Sequence, residues 1–316
     1  MNEQAARWPG RDLLALSDYT PAEVKSLLRS ALELKEAWKR GERPALLAGR
    51  TLAMIFEKPS NRTRVSFDVG MYQLGGHAIY LGPEEVGLGA RETVEDVARV
   101  LSRFVDGIVL RTFAHGNVTA LAHYATVPVI NGLDDLHHPC QALADFLTLA
   151  ERFGGIEALP GLRLTYLGDG NNVCHSLLEA GARLGVHLTV ATPLGYEPNA
   201  AVWQGAQAVA RETGAVLELT DDPVEAVAGA QAVYTDTWTS MGQEAQRELR
   251  RKDFAGFQVN AKLLEQCPEA VVLHCLPAHY GEEITSDVAH GERSLLFDQA
   301  ENRLHAEKAV LVALIS

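Results

Sequence analysis

The sequence predicts an α/β fold of two domains, each a parallel β-sheet flanked by helices, joined by interdomain helices. Short apolar runs of strand character alternate with stretches of helical apolar spacing along the whole chain, the pattern of parallel strands joined by crossover helices. The chain has 316 residues, enough for two ordinary domains. Its unusual polar clusters all come just after apolar runs, and ligands of such folds bind at the carboxyl ends of strands.

Thr20-Pro21-Ala22-Glu23 opens the first expected helix, with Thr20 as cap, Pro21 at the first position and Glu23 in the capping-box place. Val24 to Trp38 continues it with helical spacing. Thr51 to Phe56 reads as a buried strand; Lys58-Pro59-Ser60 breaks it, and Arg62 to Leu74 is helical. His77 to Leu81 is a strand, Glu92 to Phe104 an amphipathic helix and Gly107 to Leu110 a strand. Val118 to Tyr124 is a helix, Val127 to Asn131 a strand and Gln141 to Arg152 a helix.

The rhythm then repeats. Strands are expected at Leu162 to Leu167, His187 to Ala191, Val216 to Leu219, Val233 to Asp236 and Val271 to Cys275. Helices are expected at Asn172 to Leu184, Ala200 to Arg211, Pro223 to Ala228 and Asn302 to Leu314. Gly154-Gly155 and Pro160-Gly161 are the best internal punctuation. The expected domains are therefore 1–150 and 151–300, with a C-terminal helix, 301–316, packing back on the first.

Composition narrows the function. The apolar fraction is 47%, the charged fraction 22% and the net charge −13. A surface this acidic argues against general nucleic-acid binding, and an anionic ligand would need its own nest of arginines. The four cysteines, Cys140, Cys174, Cys267 and Cys275, include no C-x-x-C pair and form no disulfide framework. The first residues lack a basic start followed by an apolar core. No apolar run reaches about 18 residues. The expectation is a cytoplasmic protein that binds neither membrane nor nucleic acid.

Ser60-Asn61-Arg62-Thr63-Arg64 opens a helix. Unpaired N–H groups and a partial positive charge make a helix start an anion site, and arginine forks suit phosphate. Alone, the segment reads equally as a helix cap with surface arginines. Arg111 ends an apolar strand, where a surface role is the commoner one. His138-Pro139-Cys140-Gln141 sets an imidazole and an amide before a helix; its two neighbouring histidines lack partners at a metal-ligand spacing. Gly168-Asp169-Gly170-Asn171-Asn172 resembles a dinucleotide turn but lacks G-x-G-x-x-G and the acid about 20 residues on. This weakens an oxidoreductase reading and leaves a tight turn whose glycines permit positive φ. Asp236 lies on a polar loop and suits an ammonium group, or a loop cap. Cys275 ends a strand as nucleophile, polar contact or small buried residue.

Together the clusters carry a resemblance. Phe56 to Phe67, His138-Pro139-Cys140-Gln141, Asp236-Thr237-Trp238-Thr239-Ser240-Met241-Gly242, His274-Cys275-Leu276-Pro277 and Phe297 to Arg303, in that order, resemble the aspartate/ornithine carbamoyltransferase family from about Leu13 to the C-terminus. The Asp236 and His274 segments favour its ornithine branch over the aspartate one. The resemblance implies that carbamoyl phosphate and L-ornithine are joined to give citrulline and phosphate. It implies a carbamoyl phosphate domain followed by an ornithine domain, no metal or organic cofactor, and a homotrimer or multiple of trimers. Active sites would lie between neighbouring subunits, under a closing loop. Ser60, Asn61, Arg62 and Thr63 would hold the phosphate, and Arg111, His138, Gln141 and Arg303 would also contact carbamoyl phosphate. Asn172, Asp236, Ser240 and Met241 would hold the amino-acid part of ornithine. Cys275 and Leu276 would lie at the carbamoyl group beside the reacting amine. Arg62, Arg111, His138 and Cys275 are the catalytic candidates.

Three positions depart from the family pattern. Asn61 stands where threonine is usual and keeps a hydrogen-bonding side chain. Gly87 stands where members often carry a glutamine or histidine that reaches into the neighbouring subunit. Tyr280 replaces an arginine common after the His-Cys-Leu-Pro segment. Rival readings are a sibling carbamoyltransferase for putrescine or an acetylated ornithine, a nicotinamide-dependent oxidoreductase, and a non-catalytic homologue.

Overall fold

A computed structural model describes residues 7–240 and 242–316. They form two compact units: the chain up to Leu147 together with Glu301–Ser316, and Thr148–Ala300.

The first unit holds α1 (Pro21–Lys39), β1 (Thr51–Phe56), α2 (Asn61–Gln73), β2 (His77–Leu81), α3 (Pro83–Val86), α4 (Val94–Leu101), β3 (Gly107–Arg111), α5 (His115–Tyr124), β4 (Val129–Leu133) and most of α6 (Pro139–Phe153). Its four strands run parallel in the order β2-β1-β3-β4. The order reverses between β1 and β3, which opens a crevice at their carboxyl ends. Phe56 pairs with Arg111 there. Ala53, Ile55, Ile108, Leu110 and Val129 form one face and pack on Val97 and Ala98 of α4 and Val118 and Leu121 of α5. Leu52, Met54 and Phe56, on the alternate face, are also buried. Burial on both faces is why these strands read as unbroken apolar runs.

The second unit holds β5 (Arg163–Leu167), α7 (Asn172–Leu184), β6 (His187–Ala191), α8 (Ala200–Thr213), β7 (Leu217–Thr220), α9 (Pro223–Val227), β8 (Ala232–Thr235), α10 (Arg247–Asp253), β9 (Val271–His274) and α11 (Ser286–Ala289). Its strands are parallel in the order β7-β6-β5-β8-β9, with the switch between β5 and β8. Leu167, Ala191, Val233 and Val272 pack with Val227, Phe254 and Leu264 in one core. The last helix, α12 (Leu296–Ile315), begins in this unit and ends in the first. The division between the units falls inside α6 and inside α12.

Several boundaries differ from expectation for identifiable reasons. Thr93 caps α4 by accepting from Asp96 N at 3.1 Å, so that helix starts at Val94 and not at Glu92. Pro128 has no N–H to give a ladder, and β4 starts at Val129. α12 starts at Leu296, ahead of the expected Asn302, because its polar first turns hide the apolar period. α3, α10 and α11 are too short to show a period at all. Among the described residues no helix is long and apolar enough to cross a membrane.

Candidate active site

The clusters of the first unit gather at the crevice of its own sheet. Ser60 caps α2, accepting from Thr63 N at 3.2 Å and donating to Thr63 Oγ1 at 3.1 Å. The first turn of α2 carries no acidic residue, so its partial positive charge is not offset. Asn61 is the exposed first residue of the helix, Arg62 is half-buried and Thr63 is buried. Arg111, the last residue of β3, is buried too.

His138 is set by a buried carboxylate that the sequence reading did not single out. Asp134 accepts from Leu136 N and His137 N at 2.7 Å each, and from Asn131 Nδ2 at 2.8 Å. His115 Nδ1 meets its Oδ2, the oxygen shared with Asn131, at 2.6 Å. This pins the loop that delivers His138 to the start of α6. Burial depresses the imidazole's pKa well below its ordinary value, helped by the charges of Arg303, Arg111 and Arg62. His138 is therefore a neutral imidazole at physiological pH.

Arg303, distant in sequence, completes this cluster. Its Nη2 donates to Thr63 Oγ1 at 3.0 Å and its Nη1 to Gln141 Oε1 at 2.8 Å. The Gln141 amide donates in turn to Asp145 Oδ1 at 2.7 Å. Behind Arg303, Glu307 accepts from its Nε at 3.1 Å and its Nη2 at 2.7 Å. Removing one partner of such a buried pair costs about 3–5 kcal/mol. Three guanidinium groups, a helix start and a neutral imidazole suit an acyl phosphate whose carbonyl takes up negative charge.

The clusters of the second unit gather at the β5/β8 switch. Asp236, just past β8, is buried. Its Oδ1 accepts from Cys275 Sγ at 3.0 Å and Thr237 N at 2.7 Å, and its Oδ2 from Asn171 Nδ2 at 2.8 Å. Asn171 also caps α7, while Asn172, the expected ligand contact, is the half-buried first residue of that helix. The glycine-rich turn before them is steric. A Cβ on Gly170 would stand 2.3 Å from Pro198 N. Asp169 pairs with Arg250 at 2.6 Å, and Arg250 holds the Trp238 carbonyl at 2.8 Å, which ties this turn to the loop after Asp236.

Leu276 has φ 59, a left-handed conformation that costs an ordinary L-residue about 1–2 kcal/mol. Its N–H donates to His274 Nδ1 at 2.8 Å, and His274 Nε2 meets Glu283 Oε1 at 3.1 Å. Buried His274 and Glu283 thus brace the turn that presents Cys275 and Leu276. Asp236, His274 and Cys275 offer ligand atoms within 4.8 Å of one another, as do His279, Glu282 and Glu283; both nitrogens of His274 are already engaged in hydrogen bonds. Ser240 is half-buried, and Met241 lies outside the described residues.

Residues 11–151 match the model for the carbamoyl-P binding domain of aspartate/ornithine carbamoyltransferase, and residues 160–314 match its Asp/Orn binding domain. The chain belongs to the aspartate/ornithine carbamoyltransferase family. It is 56% identical over 307 residues to the ornithine carbamoyltransferase of Anoxybacillus flavithermus, covering 97% of each chain. It is 55% identical over 303 residues to the anabolic ornithine carbamoyltransferase of Pyrococcus furiosus, covering 96% of this chain and 95% of that one. The solved P. furiosus ornithine carbamoyltransferase superposes with a TM-score of 0.94 at 54% identity, covering 97% of each chain. In this family member Arg303 falls within the Asp/Orn-binding match by sequence, yet it folds into the first compact unit. Gly87, one of the departures from the family pattern, closes α3 with φ 58. A Cβ there would stand 2.7 Å from Arg91 Cβ, so the position serves a backbone turn in this chain.

Proposed function

We propose that this chain is an ornithine carbamoyltransferase. It transfers the carbamoyl group from carbamoyl phosphate to the side-chain amine of L-ornithine, giving L-citrulline and phosphate, in arginine metabolism. The observation that carries this reading is the pairing of opposite chemistries. One unit builds a cationic cluster around Arg62, Arg111 and Arg303; the other builds a carboxylate–thiol set around Asp236 and Cys275.

Ser60, Asn61, Arg62 and Thr63 hold the phosphate, with Gln141 and Arg303 beside them. Asp236 takes the cationic α-amino group of ornithine, with Asn172, Ser240 and Met241 along the amino-acid part. Cys275 and the Leu276 carbonyl lie at the reacting amine. That amine attacks the carbamoyl carbon, and negative charge grows on the carbonyl oxygen. Arg111, neutral His138 and Thr63 donate hydrogen bonds to that oxygen. The carbon–oxygen bond to phosphate then breaks, and the arginines stabilise the departing charge. Holding both substrates in place supplies the proximity that dispenses with a covalent intermediate. An ordinary amine of pKa about 10.4 must lose its proton first; nearby positive charge and desolvation favour that loss. The enzyme works in the cytoplasm without metal or organic cofactor, as a homotrimer or a multiple of trimers.

The test is citrulline formation from carbamoyl phosphate by purified protein offered ornithine, putrescine or N-acetylornithine. We expect ornithine to exceed the others in kcat/KM by at least about a hundredfold, the selectivity of a site built to pair charged groups. Preference for either rival amine would overturn the substrate assignment.

A further inference from the structure

Glu307 belongs to none of the recognition segments, yet it touches two of them. It lies one helical turn beyond Arg303 on α12, so the two side chains share a face. Both are buried, at 0% and 2% exposure. A single oxygen, Oε1, receives both the Nε and the Nη2 of Arg303, at 3.1 and 2.7 Å. The other oxygen is engaged elsewhere: Ser66 Oγ donates to Oε2 at 2.5 Å. Ser66 sits on α2, the helix that begins with the Ser60–Arg64 segment, and its hydroxyl also lies 2.7 Å from the Arg62 carbonyl. The carboxylate therefore fixes the plane of a guanidinium whose remaining edge meets Thr63 and Gln141. It also joins α12 to α2 at the turn that follows the helix start.

We propose that Glu307 is a positioning residue for carbamoyl phosphate, seating the Arg303 guanidinium against the α2 helix start through the shared Oε1 and the Ser66 hydroxyl. The proposal rests on the reading of Arg303 as a carbamoyl phosphate contact. A planar fork recognises phosphate only in one orientation, so a guanidinium turned out of that orientation weakens the binding of carbamoyl phosphate.

Three variants test it, with folding checked by circular dichroism. Glu307→Asp keeps the charge but withdraws the carboxylate by one methylene. It should raise KM for carbamoyl phosphate about tenfold or more, while the change in kcat and in KM for ornithine stays under about threefold, the signature of lost uniform binding. Glu307→Gln keeps the length and one acceptor for both Arg303 N–H groups, and its amide can donate to Ser66. It should bring KM for carbamoyl phosphate back to within about threefold of the parent. Ser66→Ala should raise the same KM about two- to threefold, and it decides the matter if Glu307→Asp does not fold. A folded Glu307→Asp, or failing that Ser66→Ala, with unchanged KM for carbamoyl phosphate overturns the proposal. So does a Glu307→Gln variant impaired as much as or more than Glu307→Asp, because length without charge would then fail to restore binding. An Arg303→Lys control that leaves KM for carbamoyl phosphate unchanged shows instead that the reading of Arg303 is wrong.

Discussion

The two polar clusters solve opposite electrostatic problems by opposite means. In the first unit the charges are permanent guanidinium groups, and side chains distant in sequence fix them: Arg303 meets Thr63 across 240 positions. In the second unit the charge is a single carboxylate, Asp236, fixed by its own neighbour's backbone, an asparagine that caps the next helix, and a thiol. An anion such as carbamoyl phosphate is held by donors that must be buried and aimed, and buried guanidinium needs counter-charge behind it. Glu307 supplies that for Arg303. An amino acid carrying ammonium groups needs only an acceptor with a fixed orientation, which local backbone can provide. The cationic cluster is thus the costlier to build, and damage to it should be the more severe.

The largest expected effect tests that asymmetry directly. Arg62→Ala removes a half-buried guanidinium at the start of α2, which the proposed function sets against the substrate phosphate. We expect kcat/KM to fall by about a thousandfold, the scale of losing a donor that stabilises transition-state charge, with the circular dichroism spectrum and thermal midpoint nearly unchanged. A loss under about tenfold would remove Arg62 from the phosphate site. Asp236→Asn should have a smaller and differently placed effect. It keeps the shape and the contacts with Asn171 and Cys275 in part, but drops the charge that the proposed function pairs with an ammonium. KM for ornithine should rise about 10- to 100-fold, or roughly 1.4–2.8 kcal/mol, while KM for carbamoyl phosphate stays put. Should the two KM values rise together, the division of labour between the clusters is wrong.

The same contrast explains what the sequence could disclose. Thr51–Phe56, His77–Leu81, His187–Ala191 and Asn172–Leu184 fold over the residues expected of them, because each is bounded by sharp breakers and has an unambiguous period. Polar motifs at strand ends were legible for a related reason: in a parallel sheet the carboxyl end is where function collects. Strand order was not legible, since it depends on crossovers that periodicity does not encode. Nor were the braces. Asp134, His274, Glu283 and Glu307 are buried polar residues with partners on other elements, as Glu307 has in Ser66 of α2, and a single sequence carries no sign of such pairings. Asn171 and Asn172 show the limit at its finest. Both sit at a helix start, and only the cap geometry reveals that it is Asn171 that binds Asp236.

The smallest expected effect concerns stability and probes the counter-charge behind the cationic cluster. Burial raises the Glu307 carboxyl to about 7, outweighing the lowering by Arg303 and Ser66, whereas an unfolded glutamate titrates near its ordinary value of 4.5. Between those two values the folded protein keeps a proton that the unfolded chain has lost. Stability contributed by this residue therefore falls as pH rises from about 4.5 to about 7, then levels off. Glu307→Gln has no such proton to lose. Beside the fixed loss that a missing charged partner brings, the stability difference from the parent should shift in the variant's favour across that window, by on the order of 1–3 kcal/mol given 1.36 kcal/mol per pKa unit. Thermal midpoints of the two proteins at pH 5, 6, 7 and 8 read this as a difference that shifts and then stops shifting. A difference that stays flat would mean that Glu307 keeps a fixed charge state throughout, and that the cationic cluster is balanced by a permanent anion and not by a titrating one.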